Sequence, residues 1–305
     1  MCPRNDVPLC LLGNIVLSVA IVLVNKIVYV RTKFPNITLT FIHFVVTFFG
    51  IGICERLNVF KVKRLPVLQI LPLAISFCGF VVFTNLSLGF NTVGTYQILK
   101  TLTMPTIMLI QTYLYDKTFT WKIKSTLVPI ILGVILNSAY DIKFNIIGTV
   151  FALIGVGVTS FYQVLVGEKQ KEFQVNSMQL LYYQAPLSAL LLLFCFPIVE
   201  PPWAPDGLLY REWFIVDLIL VFLSGIIAFL VNVSIYWIIG NTSAITYNVV
   251  GQLKFCLTLT GGYFLFTEPI MPIQFLGIVT TVCGVSLYAY FKNQSQKSLP
   301  FNVHK

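Results

Sequence analysis

Apolar residues run along this chain in blocks of roughly twenty, separated by short polar stretches, and that length matches a helix crossing a bilayer core. The blocks fall at residues 9–30, 37–54, 67–89 and 93–115, then from the 116–124 loop up to Tyr140. They resume at 145–167, 178–199, 213–238, 246–266 and 272–291. Within each block the apolar residues are nearly continuous rather than alternating. That favours helices, which satisfy their own backbone hydrogen bonds in lipid. The pattern predicts an all-α polytopic membrane protein with ten transmembrane helices. The first block is read as a retained signal-anchor, because so many spans follow it.

Composition agrees: 57% of residues are hydrophobic and 10% are charged, against about 25% charged in ordinary soluble domains. Mean hydropathy is +0.86. The net charge of +9 does not point to nucleic acid, because the charges sit in loops between spans. With both termini cytosolic, the cytosolic segments hold Arg4, Arg56, Lys61, Lys63, Arg64, Lys117, Lys122, Lys124, Lys169, Lys171, Lys292, Lys297 and Lys305. The opposite side holds only Arg31, Lys33, Lys143 and Arg211. That bias sets the orientation, and an even number of spans preserves it.

A repeat runs through the chain. Tyr96 answers Tyr247, and Gly133-Val134-Ile135-Leu136 answers Gly284-Val285-Ser286-Leu287, both at an offset of 151 residues. Asp116 answers Glu268 one residue further on. Spans four and five therefore resemble spans nine and ten, and the unit is five spans. Because five is odd, the second copy is inverted. The expected organisation is a first five-helix repeat at 1–141, an inverted second at 142–292, and a polar, disordered cytosolic tail at 293–305. Inverted repeats are a secondary-transporter architecture with substrate held near the midplane.

The candidate chemistry lies in the echoed spans. Lys100 and Lys254 stand inside apolar helices, and an intramembrane lysine marks a functional site by default. Lys100 follows Tyr96 by four residues and Lys254 follows Tyr247 by seven, so each lysine shares a helical face with a tyrosine. Two such ammonium groups suit a phosphorylated anion. The competing reading is a structural pair with a buried carboxylate. Gln97 and Asn248 hold matching repeat positions and either line the cavity or join helices by hydrogen bonds. Tyr182, Tyr183 and Gln184, followed by Pro186, could orient a base or sugar, or could mark a packing kink. Lys26, near the end of span one, either faces the cavity or snorkels to the interface. Gly251 belongs with Lys254, but glycines also permit close helix contact. Asn25, Asn85 and Asn232 read as helix–helix glue.

Other chemistry is not apparent. There is no Walker loop, no nucleophile with its base, no repeated selectivity-filter sequence and no metal-ligand spacing. The two histidines, His43 and His304, and seven isolated cysteines imply no metal and no cofactor. The sequon Asn36-Ile37-Thr38 lies very near the membrane on the lumenal side.

Four motifs carry a family likeness: Asn25-Lys26-x-x-Tyr29; Tyr96-Gln97-x-x-Lys100 with Pro105; Tyr182-Tyr183-Gln184-Ala185-Pro186; and Gly251-Gln252-Leu253-Lys254. With them the chain resembles the nucleotide-sugar and triose-phosphate translocator group of the drug/metabolite transporter superfamily, which includes solute carrier family 35. The resemblance implies ten helices in two inverted halves, both termini cytosolic, a Golgi or endoplasmic reticulum membrane, and no enzymatic activity. It also implies exchange of a phosphorylated solute, with a nucleotide sugar entering against a nucleoside monophosphate. Phe255 follows Lys254 where plastid phosphate translocators place arginine. The span-seven and span-nine motifs match those of GDP-mannose carriers only in part. The pattern is similar to the plant UDP-sugar group, so UDP-sugar for UMP exchange is the expectation. The alternatives are a carrier of small phosphorylated metabolites and a non-transporting membrane scaffold. No nucleic-acid partner is implied, and a homodimer is allowed.

Overall fold

A computed structural model describes residues 7–91, 93–139, 145–203, 208–210, 213–266 and 271–297. Its helices are α1 (Val7–Thr32), α2 (Asn36–Arg56), α3 (Val67–Phe90), α4 (Val93–Thr101), α5 (Thr103–Tyr115) and α6 (Trp121–Ser125). They continue with α7 (Leu127–Asn137), α8 (Ile146–Glu172), α9 (Ser177–Val199), α10 (Ile215–Asn241), α11 (Ala244–Phe266) and α12 (Pro272–Lys297). Taking α4 with α5, and α6 with α7, gives ten spans among the described residues. The chain is an all-α polytopic membrane protein.

Among the described residues, seven helices are long and apolar enough to cross a bilayer uninterrupted: α1, α2, α3, α8, α9, α10 and α12. Spans four and five are broken, and proline explains both breaks. Pro105 has no N–H to give the Thr101 carbonyl, and Pro129 has none for Ser125. At the first break Leu102 N–H turns back to the Leu99 carbonyl at 3.1 Å, a tighter i→i−3 bond. The Thr101 hydroxyl donates to the Ile98 carbonyl at 2.6 Å. Thr126 does the same to Ile123 at 2.7 Å at the second break. The tail expected to be disordered from 293 instead begins as helix, since α12 runs to Lys297. Residues 298–305 lie outside the described residues, as does Glu268 of the repeat.

The chain divides into two compact units. The first comprises Met1–Leu86 and Gly157–Tyr247. In it α1 packs on α10, and α2 packs on both α9 and α10. Gly50 meets the Phe229 ring and Gly225 meets Val46, so small residues let α2 and α10 approach closely. A buried polar seam follows the same contact: His43 Nε2 lies 3.0 Å from Ser224 Oγ, and Asn232 donates to the Thr47 hydroxyl at 3.4 Å. One end is tied by charge. Glu200 accepts the Ile37 and Thr38 N–H groups at 2.8 and 2.9 Å, placing a carboxylate on the N-terminus of α2. Arg31 pairs with buried Asp217 at 2.5 Å, joining α1 to α10.

Asn36 is a node of this end. Its Oδ1 accepts from the Tyr29 hydroxyl at 2.6 Å, and its Nδ2 donates to Asn85 Oδ1. Asn85 thus joins two helices, as its position inside an apolar block suggests. In the folded chain the sequon is engaged at both ends: the Asn36 amide donates to Asn85 and the Thr38 hydroxyl donates to Glu200 at 3.0 Å. We expect glycosidase treatment of protein made in eukaryotic cells to leave its gel mobility unchanged. A shift abolished by Asn36→Gln would overturn this.

The second unit comprises Ser87–Val156 and Asn248–Lys305. Its centre is the pairing of α7 with α12, where backbones touch through glycine. A Cβ on Gly133 would strike the Thr281 hydroxyl and lie 2.7 Å from the Gly277 carbonyl. A Cβ on Gly284 would lie 2.7 Å from the Ile130 side chain and 2.9 Å from its nitrogen. These two contacts are reciprocal: adding the 151-residue repeat offset to Gly133 gives Gly284, and adding it to Ile130 gives Thr281.

Candidate functional site

The break in span four positions the first lysine. Lys100 sits in the last turn of α4, one residue before Thr101, where a helix C-terminus favours a cation. Its Nζ lies 5.6 Å from the centroid of the Tyr96 ring, so the four-residue spacing is realised as a cation–π contact. No carboxylate among the described residues forms an ion pair with Lys100.

Lys254 lies on uninterrupted α11 and is half-buried. The Lys100 ammonium is near enough to act on it electrostatically. Both lysines belong to the second unit, and although they lie 154 positions apart in the sequence the charge of one is felt at the other. At an interior effective dielectric two such charges repel appreciably. An anion bound to both replaces that repulsion with attraction.

Tyr247, Asn248, Gly251 and Lys254 follow one another at helical spacing along α11. Asn248 is buried and Gly251 half-buried. A Cβ added at Gly251 would meet nothing within 4 Å, so the helix borders open space one turn before Lys254. Gln97, next to Tyr96, is half-buried in the same unit. Tyr96, Gln97, Lys100, Asn248, Gly251 and Lys254 all belong to the second unit.

The remaining candidates lie in the first unit. The Tyr182 ring packs edge-on against Phe60 of the α2–α3 connection at 6.2 Å, and against Tyr183 at 5.4 Å. Gln184 is fully buried. Its amide donates to the Ser188 hydroxyl at 2.6 Å, and its Oε1 has no partner among the described residues. Pro186 does not break α9, which runs on to Val199. Tyr247 lies within electrostatic reach of Tyr162, whose hydroxyl donates to the Tyr236 hydroxyl at 3.3 Å. The side chain of Lys26 lies outside what the structure describes. The break after Thr101 was not anticipated; its signal is Pro105, four residues later.

Comparison with known proteins adds the lineage. The family model described as "Triose-phosphate Transporter family" matches residues 8–289. UDP-xylose transporter 1 of Arabidopsis thaliana is 35% identical over 92% of this chain and 82% of its own length. UDP-xylose transporter 3 of the same plant is 33% identical over 91% and 78%. GDP-mannose transporter GONST5, also from Arabidopsis thaliana, is 30% identical over 93% and 85%. A solved crystal structure superposes with a TM-score of 0.75, covering 96% of this chain and 99% of the other at 14% identity, a likeness of fold.

Proposed function

This chain belongs to the Triose-phosphate Transporter family, and from that premise we propose that it exchanges a nucleotide sugar, most readily a UDP-sugar, for a nucleoside monophosphate by alternating access. Membership makes it a membrane-embedded solute transporter and not an enzyme. The observation that carries the finer reading is the pair Lys100 and Lys254, two cations of one unit within electrostatic reach of each other. In this reading they bind the phosphate charge, while Tyr96, Gln97, Tyr247, Asn248 and the open face at Gly251 contact the rest of the ligand. Tyr182, Tyr183, Gln184 and Lys26 serve the same substrate. Relatives named UDP-xylose transporters support a UDP-sugar, and Phe255 after Lys254 speaks against a triose-phosphate specialist.

The two five-helix halves, 1–141 and 142–292, are in this reading inverted repeats, supported by the reciprocal Gly133–Thr281 and Gly284–Ile130 contacts. In this reading both termini face the cytosol, supported by the Lys/Arg bias of the loops, and the membrane is that of the Golgi or endoplasmic reticulum, as the family resemblance implies.

Purified protein in detergent is the test. A ligand that binds only the folded state raises its melting temperature. We expect UDP-sugars and UMP to raise it, and triose phosphates and phosphoenolpyruvate not to. A rise with the small phosphates alone would replace the nucleotide-sugar reading with a metabolite exchanger. No rise with any phosphorylated solute would favour a scaffold that keeps the fold.

A further inference from the structure

The connection between α2 and α3 joins two membrane spans and therefore lies at a membrane face. It reads Leu57-Asn58-Val59-Phe60-Lys61-Val62-Lys63-Arg64-Leu65-Pro66, following Arg56. Its path is fixed. Asn58 adopts a positive φ of 57°, a conformation asparagine tolerates, and turns the chain off α2. Phe60 and Leu65 are buried and anchor the two ends of the basic stretch. The Lys61 carbonyl accepts from Gln179 at 2.7 Å. Lys63 Nζ donates to the Phe173 carbonyl at 2.6 Å.

The outward side of this pinned loop carries two kinds of side chain. Arg56, Lys61, Lys63 and Arg64 are exposed. Among the described residues Arg56, Lys61 and Arg64 enter no ion pair. Lys169 and Lys171 at the end of α8 differ, with Glu172 at 2.8 Å and Glu168 at 3.9 Å. Interleaved with the cations, Leu57 and Val59 are exposed at 71% and 57%. A solvated loop gains nothing from exposed leucine and valine. At a bilayer surface those residues enter the acyl boundary while the basic heads meet phosphate.

We propose that this connection is a docking surface for anionic phospholipid headgroups of the adjoining leaflet, with Arg56, Lys61 and Arg64 as its cations. Juxtamembrane lysine and arginine are drawn to anionic lipid within a Debye length, and a preformed loop loses little freedom in binding. Because Phe60 also packs on Tyr182, the bound lipid would stabilise the α2–α9 side of the first unit.

The test compares melting temperatures of the full chain in phosphatidylcholine alone and in phosphatidylcholine containing phosphatidylserine. Wild type should melt higher with phosphatidylserine, and raised salt should shrink the difference. Arg56→Gln/Lys61→Gln/Arg64→Gln should melt alike in the two lipids and bind phosphatidylserine at least roughly tenfold more weakly. Arg56→Lys/Arg64→Lys, which keeps the charge, should respond as wild type; its loss of response would overturn a headgroup-charge account. Lys254→Ala should also keep the response, and losing it would assign the lipid effect to the proposed solute site. Equal melting of wild type in both lipids would overturn the proposal. So would a full phosphatidylserine response in the triple glutamine variant, or an equal rise with free glycerophosphoserine.

Discussion

Lys254→Ala is expected to cut exchange severely while lowering the stability of the empty protein far less than a broken buried ion pair would. Truncating one partner of a desolvated charge contact removes about 2–5 kcal/mol, so uptake into proteoliposomes should fall by roughly 30-fold or more. Stability should change much less. In the unliganded protein Lys254 stands near Lys100, and removing one of two neighbouring like charges relieves repulsion. If Lys254 instead held a structural carboxylate, its loss would strand a buried charge and lower the melting temperature by an amount typical of a broken buried pair. The combination of lost uptake and little-changed melting therefore separates the two readings. Lys100→Ala should lose uptake as well, and it also strips Tyr96 of its cation–π partner. Lys254→Arg keeps the charge but replaces a compact ammonium by a planar fork, so partial activity is expected. Uptake that survives both alanine changes would remove the two lysines from the mechanism.

The parts of the molecule that were legible in the sequence are those governed by length and period. Ten spans follow from apolar blocks of bilayer length, because hydrocarbon admits little else. The proposed repeat shows in the sequence as a constant offset, and the α7–α12 contacts of the second unit are spaced by the same offset. The helix breaks were hidden because the apolar pattern runs through them. Only Pro105 and Pro129 mark them, and proline is tolerated in membrane helices often enough to be a weak sign. Contacts between distant segments left no local trace. Glu200 caps α2 from 163 residues away, and nothing around either segment announces it. The lysines show both cases. That each shares a face with a tyrosine is a matter of spacing, whereas their nearness to each other depends on how α4 and α11 are placed. Gln184 is a further case: nothing in its sequence motif reveals that its amide reaches Ser188 one turn along the same helix.

Gly277→Leu should prevent the second unit from assembling. A Cβ at Gly277 would lie 2.7 Å from the Gly133 carbonyl, 2.7 Å from Asn137 Oδ1 and 2.8 Å from the Asn137 nitrogen. Most of these obstacles are backbone and cannot rotate away, so α7 and α12 must separate. Overpacking in a close-fitted interior destabilises by about 1–3 kcal/mol where side chains can shift, and here they cannot, so the effect should reach or exceed that range. Separation would also draw Thr281 away from Gly133 and Ile130 from Gly284, undoing the reciprocal contact along its length. The expected readout is a broadened or aggregated size-exclusion profile and a melting temperature well below that of wild type; Gly277→Ala should show a milder form of both. Gly251→Ala is the matched control. The added methyl meets open space, and replacing a helical glycine by alanine is worth roughly 0.5–1 kcal/mol in favour of the helix, so its melting temperature should stay level or rise. Glycine to alanine thus changes sign between α12 and α11, set by what stands opposite each residue. A Gly277→Leu protein that folds and melts like wild type would mean that α7 and α12 do not meet through their backbones.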